Sequence, residues 1–241
     1  MTSSVWDNLI HLQNDIIETL DIFGEEYEED GLGRFNQPHS GWVNRVWRSG
    51  EFRRAHVDVV DARESKGLWM MHVCIFPHIG SDAPIFGFDV IAGKNKMTGA
   101  FLDFSPTVNS RHEMIEVFAD IVSDLQWKRE RELPEWAKAI FTDHMVAAGN
   151  VREEHEISQV VTVASEALNY YINHVGHYGG NANDLLSAKC QNRYAHYQKQ
   201  NPHTPNVMKK IGLNEDDVDV FIQKCLFPVV DESQYELVTD R

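Results

Sequence analysis

The chain predicts an α+β fold, an antiparallel sheet covered by helices. Three observations carry this reading. Apolar residues recur at period two in a series of runs between residues 41 and 104. These runs follow one another through short connections, which suits an antiparallel meander. After Ser105-Pro-Thr107 the apolar period changes to 3.6 and stays there.

Taken in order, Val5, Leu9, Leu12, Ile16, Leu20 and Ile22 mark a helix over residues 5–23. An acidic patch, Glu25 to Asp30, and a Gly-rich break at Gly31 to Gly33 then read as a loop. Strands are expected at about 41–49, 51–61, 67–76, 85–92 and 97–104. Gly93-Lys-Asn-Lys96 joins the last two as a turn. It lacks the Gly spacing and the Lys-Ser/Thr ending of a phosphate loop. Met114, Val117, Phe118, Ile121 and Leu125 share one helical stripe, and Leu133-Pro134 opens a short helix ending near His144. The remainder reads as helical: 151–173, stopped by Gly179-Gly180, then 184–200, 205–212 and 215–226. There are no repeats, and no composition shift or linker divides the chain, so 1–241 is expected to be a single domain.

With 241 residues, 42% of them hydrophobic, the chain is long enough to bury a sizeable core. Cys74, Cys190 and Cys225 are odd in number and far apart, which suggests reduced thiols rather than a disulfide framework. No basic-then-apolar leader and no span of about 20 apolar residues is present, so a soluble, cytoplasmic protein is expected. A net charge of -15 argues against nucleic acid or an anionic membrane as partner. Arg45, Arg48, Arg53 and Arg54, with Lys94, Lys96, Lys128, Arg129 and Arg131, either form a basic area for an acidic partner or are ordinary solvated charges. A monomer is expected, since no long apolar heptad is evident.

Chemistry is announced by polar groups inside core-like strands. His72 interrupts Gly67-Leu-Trp-Met-Met-His-Val-Cys-Ile-Phe-Pro77, and Asp89 interrupts Pro84-Ile-Phe-Gly-Phe-Asp-Val-Ile-Ala-Gly93. A carboxylate or imidazole in apolar surroundings costs several kcal/mol, on the order of the burial penalty of an unpaired polar group, unless it is paired. In Glu51-Phe-Arg-Arg-Ala-His-Val-Asp-Val-Val60, His56 and Asp58 share one face while Val57 and Val59 take the other. With neighbouring strands about 5 Å apart, His56, Asp58, His72 and Asp89 are expected to converge. The residues themselves leave three readings open: proton-transfer catalysis, a satisfied polar cluster, or a site for iron or zinc.

Five blocks in order, Phe52-Arg-Arg-Ala-His56-Val-Asp58, His72-Val-Cys-Ile-Phe-Pro77, Ile85-Phe-Gly-Phe-Asp89-Val-Ile-Ala-Gly93, Asp103-Phe-Ser-Pro-Thr107 and Arg131-Glu-Leu-Pro-Glu-Trp136, resemble the ferredoxin-dependent bilin reductases. The likeness runs from about residue 40 to residue 229 and is nearest the phycocyanobilin-forming branch. It implies a three-layer α/β/α sandwich that holds biliverdin between the sheet and the C-terminal helices. It also implies no bound flavin, metal or nicotinamide, with electrons arriving singly from reduced ferredoxin, protons coming from side chains, and bilin radicals as intermediates. Residue by residue, His72 matches a pocket histidine at the bilin lactams, and His56 a second histidine hydrogen-bonded to it. Asp89 matches the central acid and Arg131 an arginine that clamps a propionate, a task suited to a forked guanidinium. Thr98 and Trp136 match further ligand-lining positions.

Three departures qualify the match. Asp58 stands where the phycocyanobilin-forming enzymes carry Glu for reduction of the D-ring vinyl group. The missing methylene puts a donor about 1.5 Å out of reach, a misplacement that can cost about 100-fold in rate. Asn201 stands where the related enzymes place an A-ring proton donor, and Asn does not deliver a proton. His203 stands near a propionate-binding lysine. The N-terminal segment is also shorter and more acidic than the family's. These departures resemble the phage-associated branch called PcyX and imply a four-electron reduction of biliverdin IXα to phycoerythrobilin through 15,16-dihydrobiliverdin, in the cytoplasm of a cyanobacterial or other bacterial host. Alternatives are a phycocyanobilin-forming reductase and a non-catalytic bilin carrier.

Overall fold

A computed structural model describes residues 4–36 and 41–236, so Met1 to Ser3 of the leader reading and residue 40, where the resemblance begins, lie outside the described residues. One antiparallel sheet follows chain order: β1 (Glu25–Glu26), β2 (Trp42–Arg48), β3 (Phe52–Ala62), β4 (Leu68–Pro77), β5 (Ile85–Gly93), β6 (Lys96–Ser105) and β7 (Val146–Val151). The helices are α1 (Val5–Phe23), α2 (Arg63–Lys66), α3 (Glu113–Val122), α4 (Glu135–Lys138), α5 (Glu154–His174), α6 (Asp184–Gln198), α7 (His203–Ile211) and α8 (Glu215–Val220). The α+β class is as the sequence predicts, with the sheet as the middle of three layers.

Alternation decides which residues meet which layer. Val57, Val59, Val73, Ile75, Val90 and Leu102 point to one face and pack against α1, α3 and α5. Helix α1 offers Leu9, Leu12, Ile16 and Leu20 to that core, all buried. A capping box starts it: Ser4 Oγ accepts from Asp7 N (3.2 Å) and Asp7 Oδ2 accepts from Ser4 N (3.0 Å). On the opposite face Cys74, Phe76 and Ile85 meet Tyr194, Ala195, Met208 and Phe221 from α6, α7 and the chain end. That face also carries the polar residues singled out above. Helix α8 runs into a π-helical turn, Phe221–Leu226, which brings Leu226 and Phe227 back over the sheet.

Several expectations need correction. The chain after residue 107 is not wholly helical, because Val146–Val151 returns to the sheet as β7, beside β6. The helix opened at Leu133-Pro134 is one turn, Glu135–Lys138, and ends well short of His144. Part of the acidic patch, Glu25–Glu26, pairs with β2. Of the nine basic residues named above, four are ion-paired among the described residues. Arg45 pairs with Glu26 and Asp21, Arg48 with Glu25, Lys128 with Glu153, and Arg54 is buried against Glu29. His112 is buried and its Nδ1 accepts from Met114 N (3.1 Å), capping α3. Near the end of α5, His174 Nδ1 lies 2.7 Å from Tyr170 O.

Candidate active site

Sheet register brings the anticipated residues together. Asn44, Asp58, His72, Asp89 and Phe101 lie directly opposite one another on β2 to β6, forming one continuous row. The next row on the same face is Val46, His56, Cys74, Gly87 and Asp103. Above them, between the sheet and the α6–α7 layer, is a cavity of about 330 Å³. That is within the range of small-molecule sites, and its wall is mostly apolar with a few polar groups converging.

Asp58, His72 and Asp89 reach this cavity, and His56 lies fully buried beside them. Asp58 Oδ1 accepts from Trp42 Nε1 at 2.6 Å. Burial pushes the Asp58 carboxyl up to about 7, with Asp89 adding to the rise and the Trp42 bond opposing it. Burial likewise raises Asp89 to about 7. Among the described residues no donor reaches the Asp89 carboxyl. His72 moves the other way, down to about 4, through burial and the nearby Arg54 charge. His56 is likewise held well below the ordinary imidazole range by the same two causes and by His72. Near neutrality both acids therefore hold protons part of the time while both imidazoles are uncharged.

No hydrogen bond joins the two histidines. His56 Nε2 is 2.9 Å from Asn44 Oδ1, and the Nδ1 atoms of His56 and His72 are buried without partners. Phe227 stands edge-on to His72, with ring centroids 5.5 Å apart.

Arg131 borders the cavity. Its backbone N donates to Ala147 O (2.7 Å) and its Nη2 to Thr98 O (2.5 Å). Among the described residues no glutamate pairs with Arg131, and the nearby Glu135 pairs with Lys138. Thr98 does not line the cavity: its hydroxyl bonds Ile91 O (3.0 Å), and only its carbonyl serves the site, by holding Arg131. Trp136 lines the wall with a buried Nε1 that lacks a partner. Asn201 and His203 sit at the rim, where Asn201 Oδ1 accepts from His203 N (3.0 Å).

The sequence reading passed over Asp103, a third buried acid on the cavity face. It accepts from Ser105 Oγ (2.8 Å), Thr142 N (3.2 Å) and Thr142 Oγ1, and burial raises it to about 6 despite those bonds. A charged residue at a core position of a strand is the same signal that exposed Asp89. Tyr194 and Gln198, joined by a 2.7 Å bond from Gln198 Nε2 to Tyr194 OH, complete the wall from α6. Among the described residues no cluster of His, Cys, Asp and Glu is disposed to hold a metal ion.

A sheet-floored cavity with protonatable groups in a row has the geometry to hand protons to a flat ligand. Comparison with known proteins shows the family. Residues 21–228 match the family described as ferredoxin-dependent bilin reductase. A phycocyanobilin:ferredoxin oxidoreductase of Prochlorococcus marinus (strain MIT 9313) is 30% identical over 188 residues, 76% of this chain and 69% of the relative. A solved structure of a PcyX protein superposes with TM-score 0.71 at 37% identity, covering 92% of this chain and 99% of its own. Tomato phytochromobilin synthase, solved in complex with biliverdin, shares the fold at TM-score 0.72 and 16% identity, over 92% and 82% of the two chains. The chain belongs to the ferredoxin-dependent bilin reductase family. It is an oxidoreductase of the kind that draws its electrons from ferredoxin, and it resembles the PcyX branch.

Proposed function

We propose that this enzyme reduces biliverdin IXα by four electrons to phycoerythrobilin, by way of 15,16-dihydrobiliverdin. Each of two double bonds takes up two electrons and two protons. Reduced ferredoxin supplies the electrons one at a time, and bilin radicals stand between the steps. The observation that carries the reading is the Asp58–His72–Asp89 row on the cavity floor, with both carboxyls held near pH 7.

In this reading Asp89, free of competing donors and open to the cavity, gives the first proton to bound bilin. His72, uncharged before the bilin arrives, sits between two acids and passes a proton onward, with Asp58 as its source. Arg131 takes a propionate carboxylate, with Asn201, His203 and Trp136 around the remaining edge. Trp42 fixes Asp58 at 2.6 Å. The short, tethered side chain favours a product whose D-ring vinyl group is intact.

The test is anaerobic incubation of the purified protein with biliverdin IXα, reduced ferredoxin and a ferredoxin-reducing system, with products separated against bilin standards. Phycoerythrobilin is expected. Phycocyanobilin would sink the Asp58 argument, and biliverdin recovered intact in a stable complex would favour a carrier. Asp89→Asn is expected to bind biliverdin normally and to turn over at least about 100-fold more slowly, the range lost with a positioned acid.

A further inference from the structure

The cavity face of the sheet is flat at one place. Gly99 on β6 and Gly149 on β7 are directly paired, and the Arg131 side chain lies over them. A Cβ on Gly149 would come within 2.9 Å of Arg131 Cγ and 3.2 Å of its Nε. A Cβ on Gly99 would meet Phe101 Cε2 at 2.8 Å and Arg131 Nε at 3.7 Å. Neither glycine has the positive φ that distinguishes Gly67 and Gly212. The backbone therefore does not ask for glycine at these two positions. The space above them does.

We propose that Gly149 is a positioning residue: with Gly99, where a Cβ would strike the Phe101 ring and meet Arg131 only at ordinary contact distance, it forms a trough that fixes where the Arg131 guanidinium stands and so how tightly the cavity holds a ligand carboxylate. The inference rests on the reading of Arg131 as a carboxylate clamp. The arginine enters the trough from a segment that adds itself to the free edge of β7. Arg131 N donates to Ala147 O at 2.7 Å and Gly149 N to Arg129 O at 2.8 Å. Its stem lies in the trough, Nη2 is tied to Thr98 O, and the guanidinium carbon is 5.9 Å from the centroid of the Phe101 ring. Five N–H groups point from a guanidinium, and one is spent here. The other donors are held ready beside the cavity.

A methyl on Gly149 must push Cγ outward by some tenths of an ångström, and the shift grows along the side chain. The Thr98 bond and the fork's aim are lost together, while the acid row is untouched.

The experiment is an absorbance titration with biliverdin IXα and with its dimethyl ester, whose propionates carry no charge, for the wild type, R131A, G149A and G149A/R131A. R131A is expected to weaken biliverdin by about 10- to 100-fold, the value of a charge-assisted bond, and to leave the ester unchanged. G149A is expected to weaken biliverdin by about 10-fold, again without effect on the ester, and to add nothing in the R131A background. Ester binding doubles as the control for folding. Should G149A fail to fold, the double variant, which has no stem to collide with, is expected to fold again. The trough is overturned if G149A binds biliverdin like the wild type while R131A does not, if the two losses multiply, or if the double variant stays unfolded. An R131A protein that binds biliverdin normally would remove the clamp, and the trough's purpose with it.

Discussion

Asp58, His72 and Asp89 reverse the ordinary charge pattern of their side chains. Near neutrality the carboxyls rise to about 7 and the imidazole falls to about 4, so the row is poorest in charge where free side chains would carry most. Arg54 contributes to this state. It is buried on the same strand face as His56, grips Glu29 at 2.7 and 2.5 Å and the Cys225 carbonyl at 2.7 Å, and its charge adds to burial in keeping both histidines uncharged. The arrangement has a measurable cost. Asp89 in the folded protein binds a proton that the unfolded chain releases above about 4, so its contribution to stability falls as the pH rises toward 7 and is flat beyond. Asn at this position has no such dependence. The melting temperature of Asp89→Asn relative to the wild type is therefore expected to climb by roughly 10 °C between pH 4 and pH 7 and to level off above, measured by thermal denaturation across that series. A difference that stays constant with pH would show that Asp89 titrates as an ordinary surface acid.

Among the elements, the segment from residue 131 to β7 closes the cavity, and one buried carboxylate holds it to the sheet. Asp103 receives both the N–H and the hydroxyl of Thr142. Thr142→Val keeps the shape and deletes the hydroxyl, at a cost of about 1–3 kcal/mol for the carboxylate left short of a donor. The expected result is a melting temperature lower by roughly 3–9 °C, with a several-fold higher KM for biliverdin and kcat within twofold of wild type. An unchanged KM would detach this segment from binding. The same region marks where the sequence stopped being legible. Strands β3 to β5 announced themselves because His56, Asp58, His72 and Asp89 interrupt strong period-two patterns, and that pattern placed all four on one face. By contrast β7, Val146-Ala-Ala-Gly-Asn-Val151, has small residues with weak strand preference and no alternation. It is a strand because β6 and residues 129–131 offer it partners, which is information from elsewhere in the chain. Thr98 lies where the register of β5 and β6 shifts at Ile91/Ala92, and its hydroxyl bonds the Ile91 carbonyl. Asp103 was legible, as an acid at a core position of a strand, and was overlooked.

At the scale of the molecule, the strand order repeats the chain order, and this has a consequence for how the enzyme comes into being. Strands β3 to β6 are linked by short connections, so they can zip together pair by pair. Between β6 and β7 the chain makes an excursion of about 40 residues. Closing that loop costs about 1.5 kcal/mol more than closing the β4–β5 connection, since the entropy scales with the logarithm of length. Last-formed contacts also open first when a native protein fluctuates. Amides of β7 and of residues 129–131 are expected to exchange with solvent about 10-fold faster than those of β4 and β5, as followed by hydrogen–deuterium exchange. Equal protection across the sheet would contradict this ordering. On this ordering a newly made chain is expected to pair the strands that carry its row of acids before the arm that carries Arg131 attaches. A ligand that engages the arginine adds its binding energy to that late closure and slows reopening of the loop.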